Sequence, residues 1–178
     1  MLRVIFAALA VFSLAACEEG DVMKEIDRKR EERLKVEQAQ AQKDRDFLVQ
    51  NATKPGVKQT PSGLQYEVVR TVAQDVPRPT AVDKVKVSYE GRLINGAVFD
   101  SSYARGEPIE FVLNEVIPGW TEGLQLMKPG EEFNLYIPAD IGYGARGAGA
   151  DIPLNATLIF RVELLQFTTP DGKVVKAP

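Results

Sequence analysis

The chemistry open to this chain is bounded first by two residue types. It has no histidine, so any mechanism that needs an imidazole base, an imidazole metal ligand or a Ser-His-Asp arrangement is excluded. It has one cysteine, Cys17, which rules out an intrachain disulfide and a cysteine-based zinc site. Carboxylates, hydroxyls, backbone and apolar surface remain. Asp100, Glu110, Glu131 and Glu132 are the acids near aromatic segments, but none forms a pair spaced for hydrolysis, and the Glu131-Glu132 doublet reads as a turn pointing two ways. Gly142-Tyr-Gly-Ala-Arg-Gly147 matches the G-x-G-x-x-G string of dinucleotide sites. That string binds phosphate only between a strand and a helix N-terminus, and here Gly149 and Pro153 follow before any helix can start. The match is accidental.

Three other clusters carry the unusual residues. The first is Val87-Ser-Tyr89-Glu-Gly91 with Asn95-Gly96, Phe99-Asp100-Ser-Ser102 and Arg105. The second is Val116-Ile117-Pro-Gly-Trp120-Thr-Glu-Gly123, which holds the only tryptophan. The third is Ile137-Pro138, Tyr143-Gly144, Ile152-Pro153 and Phe160.

The elements that must position them are legible from periodicity. Pro118 suits a first helical turn, Trp120, Leu124 and Met127 fall on one helical stripe, and Lys128-Pro129-Gly130 stops the segment. A helix this short cannot bury its apolar face alone, so strands must wrap it. Leu64, Tyr66 and Val68 alternate with polar residues, as do Val85, Val87, Tyr89, Gly91 and Leu93. Asn95-Gly96 predicts a hairpin returning through Ala97-Val98-Phe99. Strands also read at 109–113, over Phe133, Leu135 and Ile137, and over Leu158, Phe160, Val162 and Leu164. The expected fold is α+β, a curled antiparallel β-sheet wrapped over one short α-helix. Leu93, Phe111, Leu124, Phe133 and Leu158 read as plain core.

Ahead of that domain lie two segments. Residues 1–16 carry Arg3 and an apolar run too short to span a bilayer, the pattern of a signal peptide. Leu14-Ala15-Ala16-Cys17 resembles the lipobox of bacterial lipoproteins, which implies cleavage before Cys17 and acylation of that residue. The implied location is the bacterial cell envelope, lipid-anchored. Glu18 rather than an aspartate follows the cysteine, which favours the outer membrane facing the periplasm. Residues 17–55 are charged and rich in helix formers, with i,i+4 pairs such as Glu25/Lys29 and Glu31/Lys35. Their apolar stripe is thin and interrupted by Arg30, Glu37 and Asp44, so a helical spacer is favoured over a dimerising coiled coil across residues 21–50. Pro55-Gly56 and Pro61 mark the domain start, and the domain is expected to run over 56–168 with a loose tail at 169–178. The net charge of −3 argues against nucleic acid as a partner.

Taken together, in order and spacing from about Gly63 to Phe167, the three clusters resemble the FKBP-type peptidyl-prolyl cis-trans isomerases. The lead-in from Gly56 to Tyr66 is similar to the macrophage infectivity potentiator-like branch of bacterial envelope isomerases. The resemblance implies an FKBP-like half-barrel and a pocket built from Tyr89, Phe99, Asp100, Arg105, Ile109, Val116, Ile117, Trp120, Tyr143, Ile152 and Phe160. It places Trp120 as the floor and Tyr89, Phe99 and Phe160 as walls. The Ile117 N–H and the Tyr143 hydroxyl would donate to substrate carbonyls, and Asp100 would be held by Arg105 and Tyr89. Implied partners are proline-containing unfolded or exported polypeptides, with no metal or cofactor required. The rival reading is a chaperone or binding module that holds such segments without turning them. The sequence departs from the family at Ile109, often aromatic, at Ala148, often histidine in eukaryotic relatives, and at Asp151, where an apolar residue often packs over the pocket mouth.

Overall fold

The computed structural model describes residues 15–177, and their side chains from residue 21 onward. Residues 1–14, most of the expected signal segment, and the Cys17 side chain that would be acylated lie outside it. The described residues form two compact units, one up to Ala39 and one from Gln40 onward. Helix α1 (Ala15–Asn51) contributes to both.

In the first unit, α1 is a solvated charged helix. Glu25 pairs with Arg28 at 2.7 Å and with Lys29 at 3.5 Å, and Arg33 reaches Glu37 at 3.7 Å. Exposed pairs of this kind contribute about 0.2–0.5 kcal/mol each. The expected Glu31–Lys35 pair is not among the ion pairs of the described residues. Val22, Met23, Ile26, Leu34 and Val36 are exposed. No helix among the described residues is long and apolar enough to cross a membrane.

The second unit is one antiparallel sheet curled over a short helix. Strands β1 (Val57–Gln59), β2 (Gln65–Arg70), β3 (Lys84–Leu93) and β4 (Val98–Ser101) are followed by a single helical turn, α2 (Ser102–Arg105). Strand β5 (Ile109–Val112), helix α3 (Pro118–Gln125) and strands β6 (Glu132–Ile137), β7 (Leu158–Thr168) and β8 (Val174–Lys176) complete it. The order is β1-β2-β6-β7-β3-β4, with β5 also on β3 and β8 also on β7. Strand β3 is the spine, because β7 runs along its whole length while β5 and β4 share its other edge.

The period-2 pattern explains the core. Val85, Val87 and Tyr89 of β3, Phe133, Leu135 and Ile137 of β6, and Leu158, Phe160, Val162 and Leu164 of β7 are all buried and meet Trp120, Leu124 and Met127. Helix α3 can approach β6 closely because its facing residues are glycines. A Cβ on Gly119 would lie 2.5 Å from Ile137 Cγ2, and one on Gly123 would lie 2.7 Å from Leu135 Cδ1. Thr121 Oγ1 donates to the Leu113 carbonyl at 2.7 Å, tying the helix to the turn before it.

Two boundaries differ from expectation. The tail is not loose: β8 pairs with the end of β7, with Phe167 opposite Val175. Asp171-Gly172 makes the turn, with Gly172 at φ 88°, and the Thr169 N–H donates to the Lys173 carbonyl at 3.0 Å. That Asp-Gly is the same kind of hairpin signal as Asn95-Gly96. The compact unit also begins earlier than residue 56, inside α1. Asp44 is buried (3% exposed), and its carboxylate accepts the Thr157 N–H at 2.6 Å and the Gln40 side-chain amide at 2.8 Å. Asn51 donates to the Gln65 side chain at 3.0 Å, Gln65 in turn donates to the Leu48 carbonyl at 2.9 Å, and Phe47 packs on Tyr136. Asp44→Ala should therefore lower stability by about 1–3 kcal/mol, because it leaves a buried N–H unpaired. The check is a urea titration, with the midpoint falling at unchanged slope. A midpoint equal to wild type would rule out this contact as a stabilising one.

Candidate functional site

A cavity of about 720 Å³ opens at the N-terminal end of α3. Of the expected site residues, Tyr89, Phe99, Asp100, Ile109, Val116, Ile117, Trp120, Tyr143, Ile152 and Phe160 all line it. Arg105 does not line it but pairs with Asp100, which does. Leu124 and Met127, at the far end of α3, are fully buried away from the cavity.

The aromatic wall is built around one indole. Trp120 meets Tyr89 and Phe160 edge to face, with centroids 5.1 and 5.0 Å away, and Phe111 at 5.4 Å. Phe99 stands edge to face on Phe160 at 5.4 Å. Aromatic pairs in such arrangements contribute about 0.5–1.5 kcal/mol each beyond area burial. Trp120 is 5% exposed, and its Nε1–H has no oxygen or nitrogen partner among the described residues. Gly91 leaves room for two of the walls: a Cβ there would fall 2.6 Å from Phe160 Cε1 and 2.7 Å from Phe99 Cε2.

The polar edge comes from β4 and the turn after it. Ser101 caps α2 by accepting the Ala104 N–H, and the Ser102 hydroxyl accepts the Tyr89 N–H at 2.8 Å. This single turn brings Arg105 back onto Asp100. One Asp100 oxygen accepts from the Arg105 guanidinium and the other from the Tyr89 hydroxyl. A second Arg105 nitrogen donates to the Tyr89 hydroxyl at 3.0 Å, closing a three-way network. Partial burial pushes the Asp100 carboxyl upward, but the hydrogen bonds from Tyr89 and Arg105 and the guanidinium charge outweigh it and hold the group below its ordinary value. Tyr89 is pushed up by burial and by its bond to Asp100.

A depressed carboxyl favours the fold above its unfolded pKa and loses that contribution as pH falls through the folded value. The stability gap between wild type and Asp100→Asn should thus stay level from pH 7 to 5 and narrow below about pH 4, near the ordinary aspartate value. Denaturant midpoints across that range check it, and a gap that widens in acid would reverse the sign of the coupling.

Backbone and loop supply the remaining groups. Ile117 is the N-cap of α3, and its N–H has no partner among the described residues. Tyr143 is 41% exposed, with its hydroxyl likewise unpartnered. The loop that carries it is closed by the reciprocal Ala148–Ile152 backbone pair at 3.0 and 3.1 Å. Gly147, the last glycine of the dinucleotide-like string, serves that closure: it sits at φ 63°, and a Cβ there would lie 2.2 Å from the Ile152 carbonyl oxygen. No helix follows the string among the described residues, and the string itself holds only a short 3-10 turn at Gly144–Arg146.

Five further residues line the cavity: Glu110, Phe111, Glu115, Ala148 and Asp151. Phe111, expected in plain core, is half-buried and forms part of the wall. The signal was its position two residues after Ile109 on the same strand face. Glu115 lies two residues before Ile117 and carried no signal of its own. The other acids sit elsewhere: Glu131 accepts from Thr71 and the Lys128 N–H, and Glu132 pairs with Arg161 and Arg70.

A curled sheet over one helix, with an aromatic cavity at that helix's N-terminal end, defines a class. Residues 76–165 match the family model described as FKBP-type peptidyl-prolyl cis-trans isomerase. Residues 12–68 match the model for the domain amino-terminal to it. The chain belongs to the FKBP-type peptidyl-prolyl cis-trans isomerase family. Among its relatives, it is 50% identical over 140 residues to a probable FKBP-type peptidyl-prolyl cis-trans isomerase FkpA of Neisseria meningitidis, covering 79% of this chain and 51% of the relative. It is 52% identical over 129 residues to the FKBP-type 22 kDa isomerase of Escherichia coli, covering 72% and 62%. The crystal structure of FkpA from Escherichia coli superposes with a TM-score of 0.75 at 36% identity, covering 96% of this chain and 75% of that one. The chain thus spans about half to three-fifths of the length of these curated relatives.

Proposed function

We propose that the chain catalyses cis–trans isomerisation of X–Pro bonds. The observation that carries this is the apolar cavity floored by Trp120, with the Asp100–Arg105–Tyr89 network at its edge, in a chain of this family. Rotation about an X–Pro bond breaks amide resonance. The barrier is about 18–20 kcal/mol for a peptide bond, and unaided exchange takes tens to hundreds of seconds. The twisted transition state has lost resonance, so its carbonyl is less polar than that of the planar amide. A water-poor aromatic cavity disfavours the planar form relative to the twisted one. The proline ring packs over Trp120 between Tyr89, Phe99 and Phe160. The Ile117 N–H and the Tyr143 hydroxyl hold the flanking carbonyls while the bond turns. Asp100, fixed by Arg105 and Tyr89, keeps an oriented carboxylate–guanidinium pair at the edge of the site. No covalent step occurs.

A protease-coupled assay on a proline peptide tests the reading. Wild type should accelerate exchange, and Asp100→Val and Tyr143→Phe should each lose about tenfold, the rate equivalent of one lost hydrogen bond worth ~1.4 kcal/mol. No acceleration by wild type would leave only a module that holds proline segments. Unaffected variants would overturn the site. We also propose an envelope location through acylated Cys17, with clients among exported proteins and residues 17–39 as spacer. Cys17→Ser should move the protein from the membrane fraction to the soluble periplasm, and a monomer by light scattering would support the spacer over a coiled-coil dimer.

A further inference from the structure

The cavity has a charge pattern that isomerisation itself does not use. Four of its lining residues are carboxylates, Asp100, Glu110, Glu115 and Asp151, and none is Lys or Arg. Asp100 is neutralised by Arg105, and Glu110 by Lys84 at 3.0 Å and Lys86 at 3.5 Å. Glu115 and Asp151 form no ion pair among the described residues, and both are exposed. They come from different elements, the turn entering α3 and the loop after Tyr143, and each adjoins an apolar lining residue, Val116 and Ile152. Two unpaired negative charges therefore stand at the mouth of a pocket whose interior is apolar.

We propose that Glu115 and Asp151 select the flanks of the bound segment, favouring X–Pro sequences with Lys or Arg beside the proline over those with Asp or Glu. The inference rests on the isomerase reading and adds a substrate class to it. An incoming cation gains attraction from both carboxylates, and an incoming carboxylate is repelled by both. Exposed pairs are solvent-screened, so each contact changes the rate by at most about fivefold. Lysine over glutamate at the same position combines the attraction and the repulsion.

The test is exchange NMR, free of any coupling protease, with the full chain and the capped peptides Ac-Ala-Xaa-Pro-Phe-NH2, where Xaa is Lys, Leu or Glu. At low ionic strength the Lys peptide should be turned over about three- to tenfold faster than the Glu peptide. The ratio should fall toward one in 1 M salt, where the screening length is about 3 Å. Asp151→Asn and Glu115→Gln should each shrink the ratio about twofold, and Asp151→Lys, which sets a cation against the remaining Glu115 carboxylate, should bring it to about one. Asp75→Asn removes the same charge from beside Lys128, beyond the far end of α3, and should leave the ratio unchanged. Equal rates for the Lys and Glu peptides, or a ratio that survives the Glu115→Gln/Asp151→Asn double change, would overturn the selection while leaving isomerisation of the Leu peptide in place. Failure to accelerate the Leu peptide would remove the isomerase reading and this inference with it.

Discussion

Gly91→Ala should cut kcat/KM about 100-fold while costing about 1–3 kcal/mol of stability, a large functional effect from one methyl group. Gly91 sits on β3 opposite both Asp100 and Phe160, where the β3–β4 register shifts. A Cβ there would be 2.6–2.7 Å from the Phe160 and Phe99 rings. Those rings already meet edge to face and are walls of the cavity, so the methyl group can be fitted only by turning or displacing a wall. Overpacking of this kind costs about 1–3 kcal/mol. A displacement near 1 Å in a site that works by positioning is enough for about two orders of magnitude in rate. Exchange kinetics and a urea midpoint on the same variant separate the two effects. Wild-type rate with lowered stability would mean the walls relax without narrowing the pocket.

Trp120→Ala should lower stability by about 3–5 kcal/mol and abolish measurable isomerisation. The indole is a floor with three aromatic neighbours, so its removal empties the centre of both the site and that end of the core. Because this is the only tryptophan, unfolding of the variant must be followed by far-ultraviolet circular dichroism rather than fluorescence. Trp120→Phe keeps a ring and much of the packing, so it should fold and retain reduced turnover. A loss under about 1 kcal/mol in Trp120→Ala would contradict the packing account.

Much of this arrangement is legible in the sequence because it rests on local patterns. Pro118 and the Trp120-Leu124-Met127 stripe mark α3 and alternation marks the strands, while the cavity residues are legible only through the resemblance of their clusters to the isomerase family. Other features follow from contacts between distant segments, which periodicity does not encode. Asp44 reads as a polar break in a thin heptad, and only the fold places the Thr157 N–H against it. Strand β8 has only Val174, Val175 and the Asp171-Gly172 turn to recommend it, and it pairs because β7 offers an edge beyond β6. Glu115 has no motif of its own. Its importance comes from what shares the cavity rim with it, and rims are assembled from separate turns.

The buried Asp44 also bears on how this protein can be shortened. A chain begun at residue 56, where proline and glycine mark the obvious cut, discards the acceptor for Thr157 and the two α1 partners of Gln65, leaving it only the longer contact to Gln59. Such a fragment would expose the sheet surface around Tyr136, which Phe47 packs against. A fragment begun at residue 40 keeps all of these contacts and ends the excised piece inside a helix rather than in a loop. The portable unit of this protein therefore begins inside α1, about three helical turns before that helix ends at Asn51 and well upstream of the break its prolines advertise.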